Sequence, residues 1–192
     1  MARRSLTSSA SALAKAYQRN IKAMTRATLA GSKRLAGQVK RAAEQRNRPP
    51  PGPGDWLPGV ALGPAGARRY HLYRPPDVPF GEKLPLMVML HGCAQTGRDL
   101  AVSTRMNRLA ARERFLVLYL DQDRLANAHG CWNWFERRSG KADAEVATII
   151  AAIDQVTLLY PVDRERVALA GLSAGASMAA LLATRHPLRF QA

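Results

Sequence analysis

Cysteine is scarce in this chain. Cys93 and Cys131 are the two it has, too few for a disulfide framework and without the paired spacing of a zinc site. Long apolar runs are missing too. No stretch approaches the roughly 18 consecutive apolar residues of a spanning helix, and the N-terminus lacks the roughly 7–15-residue apolar core of a secretory signal. These absences predict a soluble chain with no export signal of its own, which by itself points to the cytoplasm. No metal-ligand spacing or cofactor motif is present either, so neither a metal nor a cofactor is expected. Acid is nearly absent from one end: residues 1–48 hold 12 Lys/Arg against Glu44 alone, a net +11 of the total +15. Residues 49–192 hold 17 basic against 13 acidic residues, so the excess charge belongs to the N-terminal segment.

What is present reads as two parts. From about Ser5 to Gln45 the chain is rich in Ala, Lys, Arg and Gln, with Leu13, Tyr17, Ile21, Met24, Leu35 and Val39 at roughly helical spacing. This is the pattern of a long basic amphipathic helix, weakened by Gly31 and Gly37, with fraying or a break expected near Gly31. Pro49-Pro-Pro-Gly-Pro-Gly54 excludes helix and ladder and predicts an exposed linker. The domain boundary is placed there: 1–48 helical extension, 49–55 linker, 56–192 globular part. At 47% hydrophobic residues, the chain has enough apolar material for a core.

In the globular part, Arg68–Arg74, Leu84–Leu90, Phe115–Leu120 and Val167–Ala170 have the pattern of strands. Asp99–Arg112, Ala142–Leu159 and Ala174–Arg185 have that of helices. Strands alternating with helices predict an α/β fold with a mainly parallel sheet. Val146, Ile149, Ile150, Ile153, Val156 and Leu159 share a face suited to packing on that sheet.

The chemistry-bearing feature is Gly171-Leu-Ser173-Ala174-Gly175, which follows an apolar strand and opens a helix of small residues, the context of a nucleophile elbow. Ser173 is the candidate nucleophile. Gly171 and Gly175 flank it because a tight strand-to-helix turn leaves no room for side chains. Upstream, the apolar run 84–90 leads into His91-Gly-Cys93, the form of a loop that donates an oxyanion-hole N–H. The donors would be the amides of Cys93 and Ala174.

Six blocks carry a resemblance. Leu90-His-Gly-Cys-Ala-Gln-Thr96, Thr104-Arg-Met-Asn107, Phe115-Leu-Val-Leu-Tyr119, Ala126-Asn-Ala-His-Gly-Cys-Trp-Asn-Trp-Phe135, Tyr160-Pro-Val-Asp163 and Val167-Ala-Leu-Ala-Gly-Leu-Ser-Ala-Gly175 resemble, in order, the poly(3-hydroxybutyrate) depolymerase family of esterases. The similarity covers about residues 56–192. It implies an α/β-hydrolase fold and a serine carboxylesterase that forms an acyl-enzyme on Ser173, with a histidine as proton carrier and an aspartate orienting it. The substrate implied is a hydroxyalkanoate polyester or its oligomers. A polysaccharide esterase removing acetyl or feruloyl groups is the alternative. The resemblance also implies that Cys93 and Cys131 lie close together and can form a disulfide, whereas a cytoplasmic chain would keep them as thiols. Many resembling proteins are extracellular.

Triad partners are harder to place. Members of the family continue past the elbow with strands that carry the acid and base, so the hydrolase fold is expected to be incomplete on its C-terminal side. Its elbow strand would then be a sheet edge prone to aggregation. His186 follows Ser173 by a whole helix, roughly 18 Å of helical rise, and reads as a C-terminal helix residue. His91 belongs to the oxyanion loop, and His71 and His129 read as surface or packing residues. Trp132, Trp134 and Phe135 either line a substrate cleft or pack in the core. The basic segment 1–48 has three readings: contact with an anionic membrane or polymer granule, nonspecific phosphate binding, or a solvated tail. No specific nucleic-acid partner is expected. A rival for the whole chain is a noncatalytic protein whose basic helix docks on such surfaces.

Overall fold

A computed structural model describes residues 5–191, without the side chains of residues 5–14 and 46, so the prediction for Leu13 lies outside the described residues. The chain divides into two compact units, Met1–Arg46 and Asn47–Ala192.

Among the described residues the first unit is one helix, α1 (Ser5–Asn47, whose last residue belongs to the second unit). The break expected at Gly31 does not occur. Glycine at a helix interior costs about 1 kcal/mol relative to alanine, and the flanking Ala, Leu, Lys and Arg are strong helix formers that outweigh one such defect. Thr25, Thr28 and Ser32 donate their hydroxyls to the carbonyls of Ile21, Met24 and Thr28, at 2.8–2.9 Å.

The second unit is a five-stranded sheet with helices on both faces. Its strands are β1 (Asp55–Gly63), β2 (Gly66–Arg74), β3 (Leu84–Leu90), β4 (Leu116–Leu120) and β5 (Val162–Gly171). Helices α2 (Gly97–Thr104) and α3 (Met106–Glu113) join β3 to β4, α4 (Lys141–Leu159) joins β4 to β5, and α5 (Ala174–Arg185) follows β5. The order across the sheet is β1-β2-β4-β3-β5. β2 is antiparallel to both neighbours, while β3 pairs parallel with β4 and β5. Four of the five strands therefore share one direction.

Strand period fixes the layers. Leu86, Val88 and Leu90 on β3 and Leu116, Leu118 and Leu120 on β4 face one cluster, with Val146, Ile149, Ile153 and Val156 of α4 and Met178, Leu181 and Leu182 of α5. Met87, Met89, Val117 and Tyr119 face the other side, against Leu100 and Ala101 of α2 and Ala110 of α3. Covered on both faces, β3 and β4 are nearly continuous apolar runs, as parallel interior strands require.

Two expectations are corrected. β1 was not anticipated, because Pro58 and Gly59 interrupt its pattern. It lies at the end of the sheet, where proline is tolerated, and a side chain at residue 59 would strike the ring of Tyr70 on the paired strand. The predicted helix 99–112 is two helices, broken at Arg105 in the left-handed conformation (φ 54°). Buried Asn107, just beyond that break, accepts the Tyr119 hydroxyl at 2.8 Å. Segment 49–55 is exposed as expected except at Pro50, and it is also tied down by hydrogen bonds. Pro50 is buried, the Pro53 carbonyl accepts from Tyr73 Oη at 2.9 Å, and the Arg48 carbonyl accepts from Arg98 Nε at 2.7 Å.

Candidate active site

β5 ends beside β3: Gly171 pairs with Leu90, and the Leu172 N–H donates to the Leu90 carbonyl at 3.0 Å. The chain then turns into α5 within two residues. A Cβ at Gly171 would collide with the backbone of Gly175 and Ala176, and one at Gly175 would collide with the carbonyls of Leu90 and His91. Both collisions are with backbone, which cannot swing aside, so the two glycines are steric requirements of the turn. Between them Ser173 adopts φ 52°, ψ −121°, a conformation that L-residues rarely take. Such a residue stores about 1–3 kcal/mol and persists only where its surroundings hold it. Ser173 is exposed, at the N-terminus of α5, where the helix dipole favours negative charge.

The loop after β3 passes directly alongside. A Cβ on Gly92 would sit 3.6 Å from that of Ser173. Gly92 N–H donates to Gln95 Oε1 at 2.9 Å, Gln95 N–H returns to the Gly92 carbonyl at 3.3 Å, and Ala94, itself at φ 61°, donates its N–H to the His129 carbonyl at 2.9 Å. Neither the Cys93 N–H nor the Ala174 N–H makes a hydrogen bond among the described residues. Cys93 is joined to Cys131 by a disulfide, so the pairing implied by the resemblance is the one formed.

His91 supports this loop from below. It is fully buried; its Nε2 accepts from the Gln122 N–H at 3.0 Å, which places the proton on Nδ1, and Nδ1–H donates to the Gly92 carbonyl at 2.7 Å. Burial holds its pKa below the ordinary histidine value, opposed by the Gly92 hydrogen bond and by Asp121 and Asp99. His91 is thus a neutral strut with both nitrogens engaged. Trp132 Nε1–H donates to the His91 carbonyl at 3.0 Å.

Behind the strut lies a buried polar cluster that sequence reading did not single out. Glu145, fully buried on α4, accepts from Gln122 Nε2 at 2.7 Å, from Asn133 Nδ2 at 2.6 Å and from the Asn133 N–H at 2.9 Å. Gln122 Nε2 also donates to the Cys131 carbonyl at 2.9 Å, and Arg68 approaches Glu145 at 3.8 Å. Burial lowers the Arg68 pKa, and Glu145 and then Asp123 counter it. The available signal was an acid at position 145 amid apolar Ala142, Val146, Ile149 and Ala152.

The predicted site residues are therefore distributed as follows. Gly171, Ser173, Ala174 and Gly175 form the turn, and Gly92-Cys93 lies beside it. Trp132 is fully buried in the main cluster, so its indole contacts protein and a role in touching substrate is withdrawn. Trp134 is half-buried and edge-on to exposed Phe135, ring centroids 5.8 Å apart. His71 is buried and stacked on Trp56 at 4.7 Å, and His186 caps the far end of α5. Among the described residues no histidine hydrogen-bonds Ser173, and no His/Cys/Asp/Glu cluster could hold a metal.

The family model for esterase PHB depolymerase matches residues 68–192. The chain belongs to that family. Among curated relatives of this depolymerase-family chain, poly(3-hydroxyalkanoate) depolymerase C of Paucimonas lemoignei is 35% identical over 104 residues, 54% of this chain and 25% of that protein. Feruloyl esterase B of Neurospora crassa is 28% identical over 112 residues, 57% of this chain and 37% of that protein. The chain thus matches between a quarter and two-fifths of the length of these relatives. Among solved structures, acetyl xylan esterase from Aspergillus awamori superposes with TM-score 0.60 at 20% identity, over 72% of this chain and 50% of that one. S-formylglutathione hydrolase from Staphylococcus aureus gives 0.55 at 16% identity, over 71% and 54%. These likenesses show the fold, that of α/β-hydrolase esterases.

Proposed function

We propose that this member of the depolymerase family supplies the nucleophile and oxyanion donors of a serine carboxylesterase acting on hydroxyalkanoate esters. The carrying observation is Ser173: exposed, held at φ 52° between two glycines that admit no side chain, and heading a helix. In the proposed reaction Ser173 Oγ attacks the ester carbonyl carbon as a base takes its proton. The carbonyl oxygen gains negative charge and accepts hydrogen bonds from the Cys93 and Ala174 N–H groups. Collapse expels the alcohol, reprotonated by the same base, and leaves an acyl ester on Ser173 that water then hydrolyses. Removing one oxyanion donor typically costs about 3–4 kcal/mol of transition-state stabilisation.

The base and its orienting acid are proposed to lie outside these 192 residues. His91 has no free nitrogen, and α5 separates His186 from Ser173 by roughly 18 Å of rise. Hydroxyalkanoate esters are favoured by the 35% identity to a poly(3-hydroxyalkanoate) depolymerase. Feruloyl or acetyl esters of polysaccharide are the second reading, favoured by the feruloyl esterase relative. A chain that catalyses nothing and only docks through its basic helix is the third.

The test is acyl transfer from p-nitrophenyl butyrate to Ser173, read as a mass increment on the Ser173 peptide. The chain alone is expected to acylate slowly, added imidazole to accelerate it as an external base, and Ser173→Ala to show no increment with or without imidazole. Acylation by the unaided chain at a rate imidazole does not raise would place the base within it. No acylation under any condition would remove the nucleophile assignment. Comparing 3-hydroxybutyrate oligomers with feruloyl and acetyl-xylan esters then separates the first two readings.

A further inference from the structure

The ester chemistry makes no use of α1. At 3.6 residues per turn, Tyr17, Ile21, Met24, Leu35 and Val39 fall within one arc of about 60°. All five are exposed, by 46–71%. Lys15, Arg19, Lys22, Arg26, Lys33 and Lys40 fall within a second arc of similar width on nearly the opposite side. Thr28 lies inside the apolar arc and Thr25 and Ser32 flank it. All three turn their hydroxyls back onto carbonyls one turn earlier, at 2.8–2.9 Å, which satisfies them without water. Among the described residues no helix is long and apolar enough to cross a membrane.

We propose that α1 lies along the surface of a membrane containing anionic phospholipid, with the Tyr17, Ile21, Met24, Leu35 and Val39 face entering the boundary between headgroups and acyl chains. The lysines and arginines of the other face lower the electrostatic energy of the helix in the negative surface potential. Two features favour lipid over nucleic acid. Phosphate contacts would engage only the basic ridge and leave five large apolar side chains in water. The in-helix satisfaction of Thr25, Thr28 and Ser32 suits an apolar neighbour and contributes nothing to phosphate binding.

The test is flotation of the full chain with vesicles of phosphatidylcholine mixed with phosphatidylglycerol, against phosphatidylcholine alone. Duplex DNA is examined in parallel. Binding to the anionic vesicles is expected to be about tenfold tighter or more, and to weaken as salt rises. Ile21→Gln, Met24→Gln and Leu35→Gln together should reduce it about tenfold, and so should Lys15→Gln, Lys22→Gln, Lys33→Gln and Lys40→Gln together. Glutamine has a helix propensity close to that of the residues replaced, so circular dichroism should show α1 retained in both. Equal binding to neutral vesicles would overturn the proposal. An apolar-face variant that binds as the parent does would also overturn it, and tight DNA binding with that behaviour would assign the ridge to nucleic acid. None of these readouts depends on Ser173, so a failure here leaves the esterase reading standing, and the reverse.

Discussion

At the scale of single residues, the site combines one strained position with one buried strut. Ser173 sits where glycine would be comfortable, so Ser173→Gly should relieve strain. About 1–3 kcal/mol of relief is offset by about 0.5–1 kcal/mol of extra unfolded-state entropy, for a net gain of about 1 kcal/mol. Ser173→Ala keeps the strain and should leave stability near the parent, while both variants lose acyl transfer. Urea unfolding followed by tryptophan emission measures this, since Trp56, Trp132 and Trp134 all lie in the second unit. A glycine variant less stable than the alanine one would contradict the strain account. His91 gives a pH dependence. Its folded pKa is depressed by burial, so near and below about pH 6.5 the unfolded chain binds a proton that the folded one refuses, and stability falls as pH falls. The thermal midpoint of the parent should drop between pH 7 and 5 by more than that of His91→Gln, which cannot titrate. Parallel profiles would show that His91 is not the neutral strut its hydrogen bonds describe. The turn at residues 171–175 was legible because its glycines, the strand before it and the small-residue helix after it are contiguous in the sequence. The strut was not, because its partner Gln122 lies 31 residues away and nothing local announces the pairing.

At the scale of elements, legibility followed the strength of the pattern. α5 and β3 matched their predicted bounds, each being a run whose composition and spacing agree. α4 and β4 matched within a residue. β1 was missed because Pro58 and Gly59 obey tertiary demands, an open sheet edge and the Tyr70 ring, that have no sequence signature. The 105 break was missed because arginine is a good helix former and its left-handed conformation here has no sequence signature; beyond the break Asn107 meets Tyr119. The elbow makes a prediction at this scale, because Gly175 is where α5 abuts β3. Gly175→Ala puts a methyl into the carbonyls of Leu90 and His91, so helix and strand must separate. Overpacking of this kind costs about 1–3 kcal/mol, whereas glycine to alanine at an unhindered helix position stabilises by about 1 kcal/mol. Gly31→Ala in α1, where nothing lies within 4 Å, is the matched control and should raise helicity. If both substitutions stabilise, the close approach of α5 to β3 is not a constraint.

At the scale of the whole molecule, the sheet brings together two loops that are distant in the chain. β3 and β4 are parallel neighbours, so the loops after both strands, 91–96 and 121–140, emerge at the same end of the sheet. The disulfide between Cys93 and Cys131, 38 residues apart, joins those loops where His91 and Trp132 already hold them by a hydrogen bond. The cross-link restricts the unfolded chain over that span, and the chain-entropy relation assigns it about 4 kcal/mol, a large share of the stability of a domain this size. Cys93→Ser with Cys131→Ser should therefore lower the stability of the second unit by about 2–4 kcal/mol, read from urea unfolding by tryptophan emission. Reduction of the parent by excess dithiothreitol should bring it to the same stability, since Cys93 is exposed and open to reductant. The buried contacts of His91 do not involve sulfur, so the folded variant should keep the His91-dependent pH profile. A double variant as stable as the oxidised parent would mean that the Gln122, Asn133 and Glu145 cluster alone fixes the loops. A variant that also loses the pH profile would mean that the strut depends on the disulfide.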